Sequence, residues 1–169
     1  MRRVNSLRGK WQNGVFFFIA LLVVVADQLS KIGIRSNLAL GESLPETGLF
    51  RLTHVYNTGA AFGLFQGQTF PLTIVAIFGI VVILLFTLLF YHRFPLLGSR
   101  LGKPALGLIL GGTIGNLIDR LRFGGVTDFI DVGIWPAFNI ADSAVVVGTI
   151  ILAYTLLRLA RAWKTDLSA

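Results

Sequence analysis

An all-α membrane protein of four transmembrane helices, with a little β-structure outside the bilayer, is the fold class this sequence predicts. Three observations carry it. Of the 169 residues, 54% are hydrophobic and only 14% charged, with a mean hydropathy of +0.76, too few polar groups for a water-facing shell. Several apolar runs reach the roughly 20 residues that a helix needs to cross a bilayer core. Ten of the 15 basic residues fall in three segments that alternate crossings place on one side.

The first span is expected at about 15–35, beginning "VFFFIALLVVVADQLSK". Arg2, Arg3, Arg8 and Lys10 precede it, and "VVA" before Asp27 resembles a signal-peptide cleavage site. Removal would leave three helices and put the termini on opposite sides, so the segment is expected to be retained. The second span covers 70–91, the third 104–121 ("PALGLILGGTIGNLIDRL") and the fourth about 140–159. Outer segments lie at about 36–68 and 122–138. In the former, "LPETG" and "YNTGAAFG" signal turns, and "LFRLTHVY" alternates as one or two short strands on the membrane surface would. The latter, rich in glycine and acid, reads as a loop. With no internal repeat, residues 1–169 form one integral-membrane domain.

Orientation follows from charge. The N-terminal tail, the segment with Arg93, Arg100 and Lys103, and the tail with Arg158, Arg161 and Lys164 are all expected on the cytoplasmic side. Asp166 is the one acid among them. The net charge of +7 is thereby explained without a nucleic-acid partner. The absence of cysteine excludes disulfides, thiolate metal sites and a cysteine nucleophile. His54 and His92 belong on opposite membrane faces, so no metal and no cofactor is expected.

Polar side chains inside a bilayer are costly and usually functional. Here Asp27, Asn116, Asp119, Arg120, Asn139 and Asp142 all fall near the outer ends of their helices, and Asp128 and Asp131 lie in the outer loop. Plainer readings exist for each. Asp27 and Lys31, four apart, could simply pair on a helix. Asp119 and Arg120 could form a charge pair, or Arg120 could orient Asp119 or a lipid phosphate. Asn57 could be a turn residue. Asn139 could cap the fourth helix, with Asp142 in its first turn offsetting the dipole. Gly107, Gly111 and Gly115 form a small-residue stripe for close helix packing, and Gly112, Asn116 and Arg120 form a second stripe that turns polar. Polar groups at one depth from several helices suggest one site.

At "DQLSK", "YNTGAAFG", "GGTIGNLIDR", "VTDFID" and "PAFNIADS" the chain resembles bacterial lipoprotein signal peptidase, the signal peptidase II family, over nearly its whole length. The resemblance implies a membrane aspartyl endopeptidase that removes signal peptides from prolipoproteins, cutting N-terminal to a diacylglyceryl-modified cysteine. It implies a small extracytoplasmic β-sheet and loop, and catalytic aspartates at Asp128 and Asp142. Asp27, Asn57, Asn116, Arg120 and Asn139 match positions that line or support the site, and Asp119 is placed with them. It further implies the bacterial cytoplasmic (inner) membrane, both termini cytoplasmic, the active site at the extracytoplasmic face, and a monomer whose partners are its substrates and membrane lipids. Two departures stand out: Thr127 replaces a more usual apolar residue, and the aspartates are only 14 positions apart. Asp131 is demoted by the motif alone.

Without metal, thiol or an evident serine–base pair, paired carboxylates are the available chemistry for amide hydrolysis. Two acids a few ångströms apart share one proton near neutral pH. One then activates water and the other donates toward the oxyanion. The alternative reading is a small proton-coupled membrane transporter, which predicts polar groups throughout the membrane depth.

Overall fold

Every fourth or third residue on one stripe of the first helix is buried, which fixes how it packs. Helix α1 (Arg2–Asn37) turns Phe16, Ala20, Val23, Asp27, Lys31 and Ile34 inward, and Leu38, the residue that follows it, is buried on the same side. The stripe is apolar at both ends and charged at Asp27 and Lys31. Helix α2 (Thr69–Leu89) is apolar all round and scarcely buried. Helix α3 (Gly102–Phe123) touches α1, α2 and the final helix, α4 (Ile140–Ser168). The structure, a computed structural model, describes residues 2–60, 64–89, 99 and 101–168. The expected helix end at Tyr91, His92, Arg93, Arg100 and part of "YNTGAAFG" lie outside the described residues, as do the side chains of Arg2, Arg3, Arg8, Lys10, Lys164 and Asp166.

Among the described residues, three helices are long and apolar enough to cross a membrane: α1 from Trp11, α2, and α4 as far as Ala162. Four were expected. Helix α3 differs because its neighbours solvate it: glycines and the polar residues Asn116, Asp119, Arg120 and Arg122 stand where a lipid-facing helix requires Leu and Val. It packs closely as a result. A Cβ added to Gly107 would lie 2.7 Å from the Phe16 carbonyl, and one on Gly111 would lie 2.6 Å from that of Ala20. On the other side, a Cβ on Gly112 would collide with the Ala141 carbonyl of α4. Helices α1 and α4 also run further than the expected spans, to Arg2 and Ser168.

At one end of the bundle, β1 (Ser43–Leu44), β2 (Arg51–Asn57) and β3 (Val126–Asp131) form an antiparallel sheet in that order. Strand β2 falls within the stretch expected to contain strands. Strand β3 corrects the loop reading of 122–138: "VTDFID" supplies β-formers but is too short to show clear alternation. Helix α3 ends at Gly124, whose φ of 77° no side chain adopts readily, and whose N–H bonds back to the Arg120 carbonyl. That cap turns the chain straight into β3. Phe129 then packs with Ile34 and Leu38, sealing the sheet onto α1.

Candidate active site

Strand alternation selects which acid faces the bundle. Asp128 and Asp131 are three residues apart on β3 and point to opposite faces. Asp131 pairs with Arg51, its cross-strand partner, at 2.5 Å and does not line the cavity described below. On the Asp128 face, Val55 sits opposite and Asn57 on the diagonal, where its amide donates to Asp128 Oδ2 at 2.9 Å. Beyond β3 the chain turns and returns so that Phe138 pairs with Ile130, Phe138 N–H donating to the Ile130 carbonyl at 3.1 Å. This return accounts for the short interval between the aspartates. It delivers Asn139 beside Asp128 at the start of α4.

Asn139 and Asp142 then form a reciprocal cap. Asp142 N–H donates to Asn139 Oδ1 at 2.9 Å, and Asn139 N–H donates to Asp142 Oδ2 at 3.3 Å. The capping role of Asp142 is therefore real, and it coexists with a second environment. The Asn139 amide donates to Asp128 Oδ1 at 2.7 Å, so one residue holds both carboxylates. Asn116 of α3 donates to Asp142 Oδ1 at 2.8 Å. Asp128, Asp142, Asn57, Asn116 and Arg120 line one cavity of about 410 Å³, walled on the apolar side by Trp135, Phe138 and Val146.

Burial pushes the Asp128 carboxyl up to about 7, and the nearby charge of Asp142 adds to the rise; hydrogen bonds from Asn57 and Asn139 pull against it. Asp131 goes the other way: the Gly133 N–H and then Arg51 hold it below the usual carboxylate range. Two acids on one strand thus titrate differently because one is buried beside a second carboxylate and the other is met by a backbone N–H and a cation.

Asp27 and Asp119 lie elsewhere. Both are fully buried behind α3, outside the cavity lining. Lys31 Nζ lies 2.8 Å from Asp27 Oδ2 and 3.3 Å from Asp119 Oδ2, and Gln28 donates to both at 3.2 Å. Asp119 and Arg120, for which a charge pair was one reading, make no direct ion pair among the described residues, although the Asp119 charge still acts on Arg120. Successive helix positions point about 100° apart, so Asp119 meets α1 while Arg120 turns to the cavity and donates to the Gly59 carbonyl at 3.2 Å. Thr127, the departure noted above, accepts a hydrogen bond from Arg35 at 2.9 Å. Arg35 and Gln28 went unread in the sequence because their partners are 92 and 91 residues away. Lys31 carried the one available signal, a cation four residues after an intramembrane acid.

Fold and site together define a membrane protein with a neighbouring pair of carboxylates in a largely apolar pocket. Residues 19–158 match the model of the signal peptidase (SPase) II family. The lipoprotein signal peptidase of Dehalococcoides mccartyi strain BAV1 is 53% identical over 137 residues, 80% of this chain and 84% of that protein. That of Moorella thermoacetica is 48% identical over 143 residues, covering 84% and 92%. A bacterial membrane enzyme solved by the in meso method at 2.3 Å superposes with a TM-score of 0.77 and 31% identity over 86% of this chain and 88% of that one. The chain belongs to the signal peptidase II family and is an aspartic-type signal peptidase. The transporter alternative is left without support.

Proposed function

We propose that Asp128 and Asp142 carry out the removal of signal peptides from prolipoproteins, the activity that family membership gives this chain. The observation that carries the assignment is Asn139, which donates to both carboxylates at the wall of one cavity. The pair shares one proton, which the burial of Asp128 retains near neutral pH. The ionised member takes a proton from water, whose oxygen attacks the scissile carbonyl. The protonated member donates toward the developing oxyanion, and the leaving nitrogen gains a proton as the C–N bond breaks. Asn57, Asn116 and Asn139 hold the carboxylates in place, and Arg120 faces the same space as the one cation in the lining among the described residues.

The substrate is cut N-terminal to a cysteine bearing diacylglycerol. The apolar wall of Trp135, Phe138, Val146 and Val147 suits a peptide whose anchor stays in lipid. Helix α3 is the fourth span, screened from lipid by the other three helices. The basic segments put both termini in the cytoplasm of a bacterial inner membrane, with the cavity at the extracytoplasmic face and the chain acting as a monomer among membrane lipids. Incubating purified protein with a diacylglyceryl-modified precursor and with its unmodified form tests the reading. Cleavage of the modified form alone is expected; cleavage of neither form, or of both equally, contradicts it.

A further inference from the structure

Behind α3, two buried carboxylates hold backbone rather than substrate. Asp27 Oδ1 accepts the N–H of Ala141 at 3.0 Å, and Asp119 Oδ2 accepts the N–H of Thr127 at 3.0 Å. Each of these peptides immediately precedes a member of the acid pair, Asp142 or Asp128. One ammonium connects the two carboxylates, Lys31 Nζ lying 2.8 Å from Asp27 and 3.3 Å from Asp119 with its side chain fully buried. Its remaining proton goes to Asn116 Oδ1 at 2.9 Å, so all three donors are used. That contact also fixes which way Asn116 faces: with its oxygen on Lys31, its amide points at Asp142. Asn139 donates to the same oxygen at 3.1 Å and from there reaches Asp128.

We propose that Lys31 is a positioning residue for the acid pair: by joining Asp27 to Asp119, it sets the separation between the two backbone segments that present Asp142 and Asp128 to the cavity. The proposal rests on reading those two acids as the reactive pair. A buried ion pair is often no more stabilising than apolar packing of the same volume. Here both carboxylates tied by the ammonium terminate one residue short of a reactive group. Space around the clasp is tight, since a Cβ on Gly115 would lie 2.6 Å from Asp27 Oδ2. Lys31 touches neither acid of the pair, but its charge acts on both. The groups around it are Asp27 and Arg35 on α1, Asp119 on α3, Asp128 on β3 and Asp142 on α4. Arg120 is the second cation facing the pair.

The test compares purified full-length wild type with Lys31→Met, with Lys31→Met/Asp119→Asn, which removes one charge of each sign, and with Lys31→Arg. Cleavage of the modified precursor is measured per mole of folded enzyme, with folding followed by thermal transition. Lys31→Met is expected to lose kcat by about 100-fold, the scale of an ångström-level misplacement. KM should stay within about twofold, since cavity contacts are retained. The alkaline limb of the activity profile should move to higher pH, because the lost charge had held down Asp128, the member that keeps the shared proton. Lys31→Arg should keep the limb near its wild-type pH while kcat stays low. Wild-type kcat and pH limb in folded Lys31→Met, or in the double variant, overturn the proposal. Failure of all three variants to fold assigns Lys31 to the fold alone and overturns it equally. Asp128→Asn and Asp142→Asn run alongside: cleavage retained in either removes the pair itself, whatever Lys31 does.

Discussion

Helix α3 separates two polar regions that look alike in sequence and differ in construction. Behind it, Asp27, Lys31, Asp119, Gln28 and Asn116 close upon one another, each charge meeting a partner of opposite sign. In front of it, Asp128 and Asp142 face each other's environment across an open cavity, with amide donors but, among the described residues, no contacting cation. Both regions are buried and both concentrate acid. What tells them apart is pairing: a cluster of opposite charges fixes geometry, while carboxylates that repel each other at the wall of a cavity hold a proton in an unusual state.

The sharpest way to break this contrast is to neutralise each front acid. Asp128→Asn and Asp142→Asn are each expected to lower cleavage of the modified precursor by on the order of 10³-fold or more while leaving the chain folded. A variant that keeps activity would place the chemistry elsewhere.

Stability against pH sharpens the comparison further. Asp128 titrates at about 7 in the folded chain against about 3.9 when unfolded, so between those values the folded state holds a proton that the unfolded state has released. Stability contributed at this site is therefore lost as pH rises from about 4 to 7, by up to about 4 kcal/mol. The thermal transition of the wild type should fall through that window, and that of Asp128→Asn should fall less. A profile unchanged by the substitution would mean that the carboxyl is not proton-bound at neutral pH.

The rear of α3 answers to packing. Gly111→Ala would place a methyl 2.6 Å from the Ala20 carbonyl and 2.8 Å from Val23 Cβ, so α1 and α3 must separate. A loss of about 1–3 kcal/mol is expected, read as a lower thermal transition. Thr127→Val removes the hydroxyl that accepts from Arg35 while keeping the shape, and should cost about 1 kcal/mol. Its backbone N–H still reaches Asp119, so cleavage should change little.

Much of this was legible in the chain. Asp27, Asn57, Asn116, Asn139, Asp128 and Asp142 could be singled out because polar residues at one end of apolar helices are conspicuous, and the five sequence blocks gave them an order. Their division into front and rear was not legible. Asp119 and Arg120 are adjacent, and only the phase of α3 against α1 and α4 sends one to the clasp and the other to the cavity. Strand β3 was hidden for a related reason: its pairing partner, β2, is about 70 residues away, so "VTDFID" carries no local mark of being a strand. The short interval between the acids looked like a departure until Phe138 was found paired with Ile130.

Asp131 offers the smallest effect and the cleanest check on face selection. It stands three residues from Asp128, carries the same carboxyl and sits on the same strand, so a reading based on acid density alone would include it. Alternation sends it to the other face, where Arg51 meets it at 2.5 Å and Gly133 N–H donates at 2.8 Å. Those partners hold it below the usual carboxylate range, so its contribution to stability is present above about pH 4 and lost only as pH falls below that. Asp131→Asn should therefore leave cleavage within about twofold of wild type and lower stability by no more than about 1 kcal/mol, the scale of a partly exposed ion pair. A loss comparable to that of Asp128→Asn would mean that the sheet presents both faces to the substrate, and that strand phase does not decide which acid reacts.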